Sequence, residues 1–338
     1  MKKELNVRGR KIGTGHPVFI IAELGINHNG DPEIAKLMID AVAKAGADAV
    51  KFQTYTTDTF VAKGNPYYEI FKQAEMSGLD VLREMKKRAE DQGVIFFSSA
   101  TDAVGLDILG ELDVALLKFS SANITNKPLL DKAVDTGLPM IISSGGCTLG
   151  EVATAVDDLS EAGATEVGIL KCTSVYPTPA DQVNLRGMAT LQSAFECPIG
   201  FSDHTLGSNA SIAAVALGAT IIEKHFTMDR AMKGHDHHFS ATPDELANLV
   251  EGVRAVEKMQ GIEQLGPVGE EVEFRKIGRR CVTASQNISS GVVITAGMLS
   301  VRRPSGEPGV PPANLEVLIG RPCRRDIASG EGISWQDI

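Results

Sequence analysis

The chain has 338 residues, 43% hydrophobic and 22% charged, with 33 lysines and arginines against 43 aspartates and glutamates for a net charge of −10. That composition belongs to a folded globular chain and excludes a disordered or fibrous one, while the acidic balance argues against nucleic acid or an acidic membrane as partner. No run approaches the roughly 18 uncharged apolar residues of a membrane span, and the N-terminal MKKELNVRGRKIG lacks the apolar stretch of a signal peptide.

Between residues 18 and 261, short apolar runs alternate with segments of helical period. The first run, 18–23, is followed by Asp31-Pro32, an N-cap with proline at the first helical position. Ile34, Leu37, Met38, Ala41, Val42 and Ala45 then recur at helix spacing. Further strands are expected at 49–53, 94–98, 115–119, 139–143, 167–171, 198–201 and 220–224, each with a helical or loop segment behind it. Thr148 with Glu151, and Thr242 with Glu245 behind Pro243, read as capping boxes. One phrase recurs as AGADAVK (45–51), AGATEVGILK (162–171) and LGATIIEK (217–224): a helix end, a glycine suited to the left-handed conformation, and a strand ending in lysine. Repeated helix–glycine–strand units, with no GxGxxG or Walker loop, favour a (β/α)8 TIM barrel over a doubly wound sheet.

Residues 262–280 read as a linker. The β-rich remainder carries an internal repeat, Asn287-Ile-Ser-Ser-Gly-Val-Val-Ile-Thr295 against Asp326-Ile-Ala-Ser-Gly-Glu-Gly-Ile-Ser334. Two such copies predict a small pseudo-twofold domain, expected to bury little core of its own and to dock elsewhere. The domain plan is a barrel over 1–261, a linker over 262–280 and a small β-rich domain over 281–338. Cys147, Cys172, Cys197, Cys281 and Cys323 are scattered without a CxxC pair, so free thiols and a cytoplasmic setting are expected.

Barrel enzymes place their chemistry where strands end. The ends here are Glu23 with Asn27 and His28, Lys51 with Gln53, Ser98-Ser99, Lys118 with Ser120 and Ser121, Ser143-Ser144, Lys171 with Thr173, Ser202-Asp203-His204, and Glu223-Lys224-His225. A strand-end lysine is ordinarily a solvated charge; lysines flanked by hydroxyls on the second and fourth strands can instead converge as an anion cradle. His204 and His225 end neighbouring strands opposite Glu23, an arrangement that suits a divalent first-row metal. The GHDHH stretch, with His235, His237 and His238, reads as a mobile polar loop. The Cys172 thiol beside Lys171 reads as a buried, inert cysteine before a nucleophile.

These blocks resemble the sialic acid synthase family, enzymes that condense phosphoenolpyruvate with an N-acylated hexosamine. The matching motifs are AELGINHNG (22–30), AVKFQT (49–54), KCTSVYPTP (171–179), GFSDHT (200–205), EKHFTMD (223–229) and RRP (302–304), from about residue 16 to the end. The resemblance implies a TIM barrel with a C-terminal antifreeze-like (SAF) domain. It implies His204 and His225 as metal ligands, with manganese the expected ion, and Glu23 as the proton-handling carboxylate. Lys51, Ser99, Lys118, Ser121, Ser143 and Ser202 match positions that hold phosphoenolpyruvate; Gln53, Tyr176 and Asp236 match positions lining the sugar site. Arg303 matches an arginine placed over the partner subunit's active site, so a domain-swapped homodimer is expected.

Departures fall on the sugar side. Ser98-Ser99-Ala100-Thr101 stands where the family has S-T-P-F, and Asn123 stands where a glutamate contacts the sugar. Arg303-Pro-Ser-Gly-Glu307 replaces R-P-G-N-G, and Lys233-Gly-His-Asp-His-His238 replaces a Gly-Pro-Asp loop. N-acetylmannosamine is the default acceptor, with diacylated dideoxy sugars of the legionaminic or pseudaminic type as the alternative. A metal-dependent aldolase or lyase, or a carbohydrate-binding protein, are the remaining classes; the full set Glu23, Lys51, Lys118, His204 and His225 argues against a mere binder.

Overall fold

All eight expected runs are strands, and they close on themselves. The computed structural model describes residues 1–338, and the chain divides into two units, Met1–Gly261 and Ile262–Ile338. In the first, β3 (Phe19–Gly25), β4 (Ala49–Thr54), β5 (Ile95–Ala100), β6 (Leu117–Phe119), β7 (Met140–Ser143), β8 (Val167–Cys172), β9 (Ile199–Asp203) and β10 (Ile221–His225) pair in parallel. Pairing of β10 with β3, from Ile221↔Phe19 to His225↔Glu23, closes the ring. Helices cover the outside, so both strand faces are buried and the strands read as continuous apolar runs. The helix Pro32–Ala45 shows how local sequence sets the connections. Asp31 accepts from the amides of Glu33 and Ile34, Pro32 occupies the first turn, and Gly46 (φ 83°) ends the helix in the left-handed conformation. Both expected capping boxes form.

Because side chains alternate across a strand, each strand feeds two cores. Ile20, Ala22, Val50, Phe52, Phe96 and Ile222 face the helices. Phe19, Ile21, Ala49, Phe97, Leu116, Ile141, Leu170 and Ile221 fill the barrel's interior. Two residues further along the inward face come Glu23, Lys51, Ser99, Lys118, Ser143, Cys172 and Glu223, so the apolar layer is the floor on which the polar ends stand.

The sequence reading passed over residues 4–13, which form a hairpin of β1 (Glu4–Val7) and β2 (Arg10–Gly13). Both turn residues have positive φ, Arg8 at 49° and Gly9 at 88°, as a tight two-residue hairpin requires. Leu5, Val7 and Ile12 pack into the interior layer. Arg8 holds Asp113 at 2.8 Å, and Arg10 holds Asp48 at 2.8 Å.

In the second unit, β11 (Cys281–Ala284) pairs antiparallel with β12 (Leu299–Arg302). The repeat is built as expected: Ile288 and Ile327 exchange backbone hydrogen bonds at 2.9 and 2.8 Å. Asn287 accepts from the Ser329 amide just as Asp326 accepts from that of Ser290. The expectation of little core is corrected, since Val282, Ile288, Ile294, Leu318, Ile327 and Ile333 form a buried cluster within this unit. Residues 262–280, expected as plain linker, include a helix, Glu271–Gly278, with no buried residue.

Candidate active site

A cavity of about 360 Å³ opens at the C-terminal ends of the barrel strands. At its base the Lys51 ammonium lies 2.5 Å from Glu23 Oε2 and 3.8 Å from Glu223 Oε2, and donates to Ser99 Oγ at 3.0 Å. Lys118 Nζ donates to Ser143 Oγ at 2.7 Å and the Phe119 carbonyl at 3.1 Å, 3.8 Å from Glu223 Oε1. Ser202 donates to Glu223 at 2.9 Å, and Gln53 Nε2 to Glu23 Oε1 at 2.8 Å. All four ionisable groups are buried. Burial pushes Glu23 above the usual carboxylate range, with Lys51 opposing and Glu223 adding to the rise. Burial also works against Glu223, yet Lys118 and Lys51 outweigh it and hold that carboxyl low. Lys51 is raised by its two carboxylates in spite of burial, whereas burial lowers Lys118.

Above this base stand the two histidines, ring centroids 5.4 Å apart. His204 Nδ1 is 2.8 Å from the Thr173 carbonyl. A carbonyl only accepts, so Nδ1 carries a proton and Nε2 is the nitrogen that could serve as a ligand. Burial lowers the pKa of His204, but Cys172 and the Thr173 carbonyl outweigh it and raise it. Burial, then His204 and Lys51, drives His225 well below its usual range and leaves it neutral. Its Nδ1 is buried without a hydrogen-bond partner, 3.7 Å from Asp236 Oδ2. Two neutral-capable imidazoles, one with an orphaned nitrogen, fit a divalent cation. No three His, Cys, Asp or Glu side chains converge to hold one unaided, so further ligands would come from water or substrate. Tyr176 lies against His204 at 4.2 Å between centroids. Ser121 accepts from the Gly145 amide at 2.8 Å.

The cavity thus gathers Glu23, Lys51, Gln53, Ser99, Lys118, Ser121, Ser143, Tyr176, Ser202, His204, His225 and Asp236. Arg303 belongs to the second unit, where it is exposed and its Nε donates to the Gly278 carbonyl at 3.0 Å. Asn123 is buried and does not line the cavity. Cys172 lines it and is buried, its Sγ 3.9 Å from His204 Nδ1. The expectation of a mobile polar loop at 234–238 is corrected. His237 is 1% exposed and bonded to Thr227 Oγ1 at 2.7 Å, Phe239 beside it is buried, and His235 and Asp236 face the cavity.

The sequence reading named Glu223 among the strand ends but gave it no role, whereas it lies 3.8 Å from both lysines. Its signal was available, two positions before His225 on one inward face. Lys171 and Lys224 end strands too but face outward: Lys224 pairs with Asp203 at 3.0 Å, and Lys171 donates to the Val183 carbonyl. Also missed was an apolar wall of Ile26, Phe60, Tyr67, Ile70 and Phe71.

Comparison with known proteins places this geometry among relatives. The model of the NeuB family matches residues 38–264, and that of the SAF domain matches residues 279–338. The chain is 37% identical to the N,N'-diacetyllegionaminic acid synthase of Legionella pneumophila, over 96% of each chain. It is 39% identical to the N-acetylneuraminate-9-phosphate synthase of Homo sapiens, over 93% of this chain and 90% of that one. The crystal structure of the N-acetylneuraminic acid synthetase of Leptospira borgpetersenii in complex with citrate superposes with a TM-score of 0.77 at 39% identity, covering 81% of this chain and 97% of that one.

Proposed function

The chain belongs to the NeuB family, and we propose that it condenses phosphoenolpyruvate with an N-acylated amino sugar to give a nonulosonic acid and phosphate. One observation carries this: two buried lysines, each bonded to a serine and interleaved with Glu23 and Glu223, lie beneath a pair of imidazoles. Such a base binds a carboxylate and a phosphate through Lys51, Lys118, Ser99, Ser121, Ser143 and Ser202. Two lysines against two glutamates leave it near neutrality until the anion arrives. A divalent cation such as manganese, held by His204 and His225, would supply Lewis acidity toward the sugar carbonyl.

The chain's own groups do the rest. Gln53, Tyr176 and Asp236 orient the open-chain sugar so that carbon 3 of phosphoenolpyruvate attacks its carbonyl carbon. Water then adds to carbon 2, and phosphate leaves by C–O cleavage. Glu23, whose proton affinity burial raises, takes the proton of the attacking water or gives one to the new alkoxide. Lys118 and Lys51 hold the departing phosphate's charge. The test is phosphate release from phosphoenolpyruvate on addition of N-acylated hexosamines, with and without manganese. Release that needs no sugar, or none with any sugar, refutes the assignment.

Arg303 is proposed to serve the sugar site of a second copy, making a domain-swapped homodimer the smallest active unit. Mixed Arg303→Ala and Glu23→Gln subunits then leave one site intact per heterodimer, and activity partly returns. No recovery after verified subunit exchange rules the swap out.

A further inference from the structure

The ends of β9 and β10 carry a buried ion pair on the side away from the cavity. Asp203 and Lys224 are partners in register across the two strands, with Oδ2 and Nζ 3.0 Å apart, and each is 1% exposed. Ser202 and Glu223, one residue earlier, line the cavity, so the pleat turns Asp203 and Lys224 towards the helices. Taking two charges out of water carries a desolvation cost that their attraction does not reliably offset, so such a pair is weak evidence for stability. What it holds in place is more telling. Asp203 Oδ1 accepts from the amide and the hydroxyl of Thr205, both at 2.8 Å, and Oδ2 accepts from Ser211 Oγ at 2.6 Å. Lys224 donates to the Thr205 carbonyl. A ring of contacts therefore runs from Asp203 through Thr205 to Lys224 and back, with His204 enclosed between residues 203 and 205.

The register shows why His204 needs this support. β9 ends at Asp203, and Asp203↔Lys224 is its last pairing with β10, so His204 stands one residue beyond the sheet. His225 is still inside it, paired with Glu23. The other ties on His204 come from the chain after β8: the Thr173 carbonyl accepts from its ring, and the Thr178 amide donates to its carbonyl at 2.9 Å. Neither refers His204 to β10. Lys224 does, because it is the residue next to His225 and its ammonium holds the backbone on the far side of His204. Resting on the metal reading proposed above, we infer that Asp203 and Lys224 are positioning residues for the histidine pair. They face away from the cavity, and together they set the spacing at which His204 and His225 meet a divalent cation.

Manganese alone is the probe. The full-length, metal-free chain is titrated into it, and loss of the free ion's electron paramagnetic resonance signal gives Kd without any turnover. The deciding variant combines Asp203→Asn with Lys224→Met. It removes both charges at once and keeps an acceptor for the Thr205 amide, so its melting temperature should stay close to that of the wild type. Its Kd for manganese should nonetheless rise roughly ten- to hundredfold, the range for groups that orient a metal's ligands. Phosphoenolpyruvate affinity, read by calorimetry, should hold, because Ser202 and Glu223 remain within the paired stretch of β9 and β10. Asp203→Asn alone strands a buried ammonium and should melt well below the double variant without binding manganese more weakly than it. Manganese affinity that instead follows melting temperature across the variants marks a merely structural pair and overturns the inference. So does a double variant that binds manganese like the wild type, fails to fold, or loses manganese and phosphoenolpyruvate alike. A wild type that takes up no manganese overturns the metal reading itself, and this inference with it.

Discussion

Lys118→Met removes one ammonium from the base of the cavity and keeps its stem. Two of the three Nζ donors are spoken for, by Ser143 and the Phe119 carbonyl, which leaves one for an incoming anion. Two unit charges 4 Å apart at an effective dielectric of 20 attract by about 4 kcal/mol. Glu223, at 3.8 Å, already takes part of that attraction, so the net loss should match a charge-assisted hydrogen bond, about 1.5–3 kcal/mol. Converted at about 1.4 kcal/mol per decade, that is a ten- to hundredfold rise in KM for phosphoenolpyruvate. The sugar KM should move far less. The control is Lys171→Met, chemically the same change at a strand end whose side chain faces outward. Phosphate release is followed with each substrate varied at saturation of the other, and calorimetry of phosphoenolpyruvate alone guards against a KM that is not a dissociation constant. Equal effects on both substrates, or equal effects of the two variants, would refute the reasoning.

Glu23→Gln keeps the shape of the site but loses the proton carrier. Turnover should fall by roughly 10²–10⁴, while phosphoenolpyruvate binds at least as tightly because Lys51 is freed of its partner; weaker binding by calorimetry would count against the role. His204→Ala or His225→Ala should abolish turnover and leave the melting temperature nearly unchanged, since both stand above the packed layers. Chelator-treated wild type should regain activity with manganese, and full activity without it would sink the metal assignment. His28 gives a pH prediction. Burial holds it neutral, its pKa lowered from 6.5 to about 4, so below pH 6.5 the unfolded chain takes up a proton that the folded one does not. Stability is therefore lost as pH falls from 6.5 towards 4, by about 2 kcal/mol between pH 7.5 and pH 5. His28→Asn, which keeps an acceptor for the Gly30 amide, should flatten that loss in urea titrations followed by circular dichroism; an unchanged slope would show that His28 is not its source. The single tryptophan, Trp335, lies in the other unit and cannot report on the barrel.

Much of this was legible because barrels write function at fixed positions. Glycine after a helix and apolar runs ending in charge located all eight barrel strands, and the strand ends supplied the polar set. What stayed hidden depended on direction rather than type. Lys51 and Lys171 both end apolar strands, yet one turns inward to Glu23 and the other outward to a carbonyl. The neighbours Glu223 and Lys224 divide the same way, and only the pleat tells them apart. The hairpin escaped notice because Leu5, Val7 and Ile12 are sparse among charges, and their burial comes from the barrel they enter. The aromatic wall was diluted likewise: Phe60, Tyr67, Ile70 and Phe71 are spread over a stretch with lysine, glycine, asparagine, proline and glutamate, and Tyr55 draws Phe60 and Phe71 together only in three dimensions. His237 looked like one more loop histidine until Thr227 and the packing beside Phe239 enclosed it.

The hairpin at the far end of the barrel decides how traffic runs. With Leu5, Val7 and Ile12 packed against the interior layer, the chamber has a single door, and whatever occupies the lysines at the back must enter before anything that rests against the wall nearer the mouth. If the anion takes the deep seat, loading is ordered, anion first and sugar second. The sugar then becomes the stopper that shuts the first guest in, and nothing leaves from the back until the occupant in front has changed its form or withdrawn.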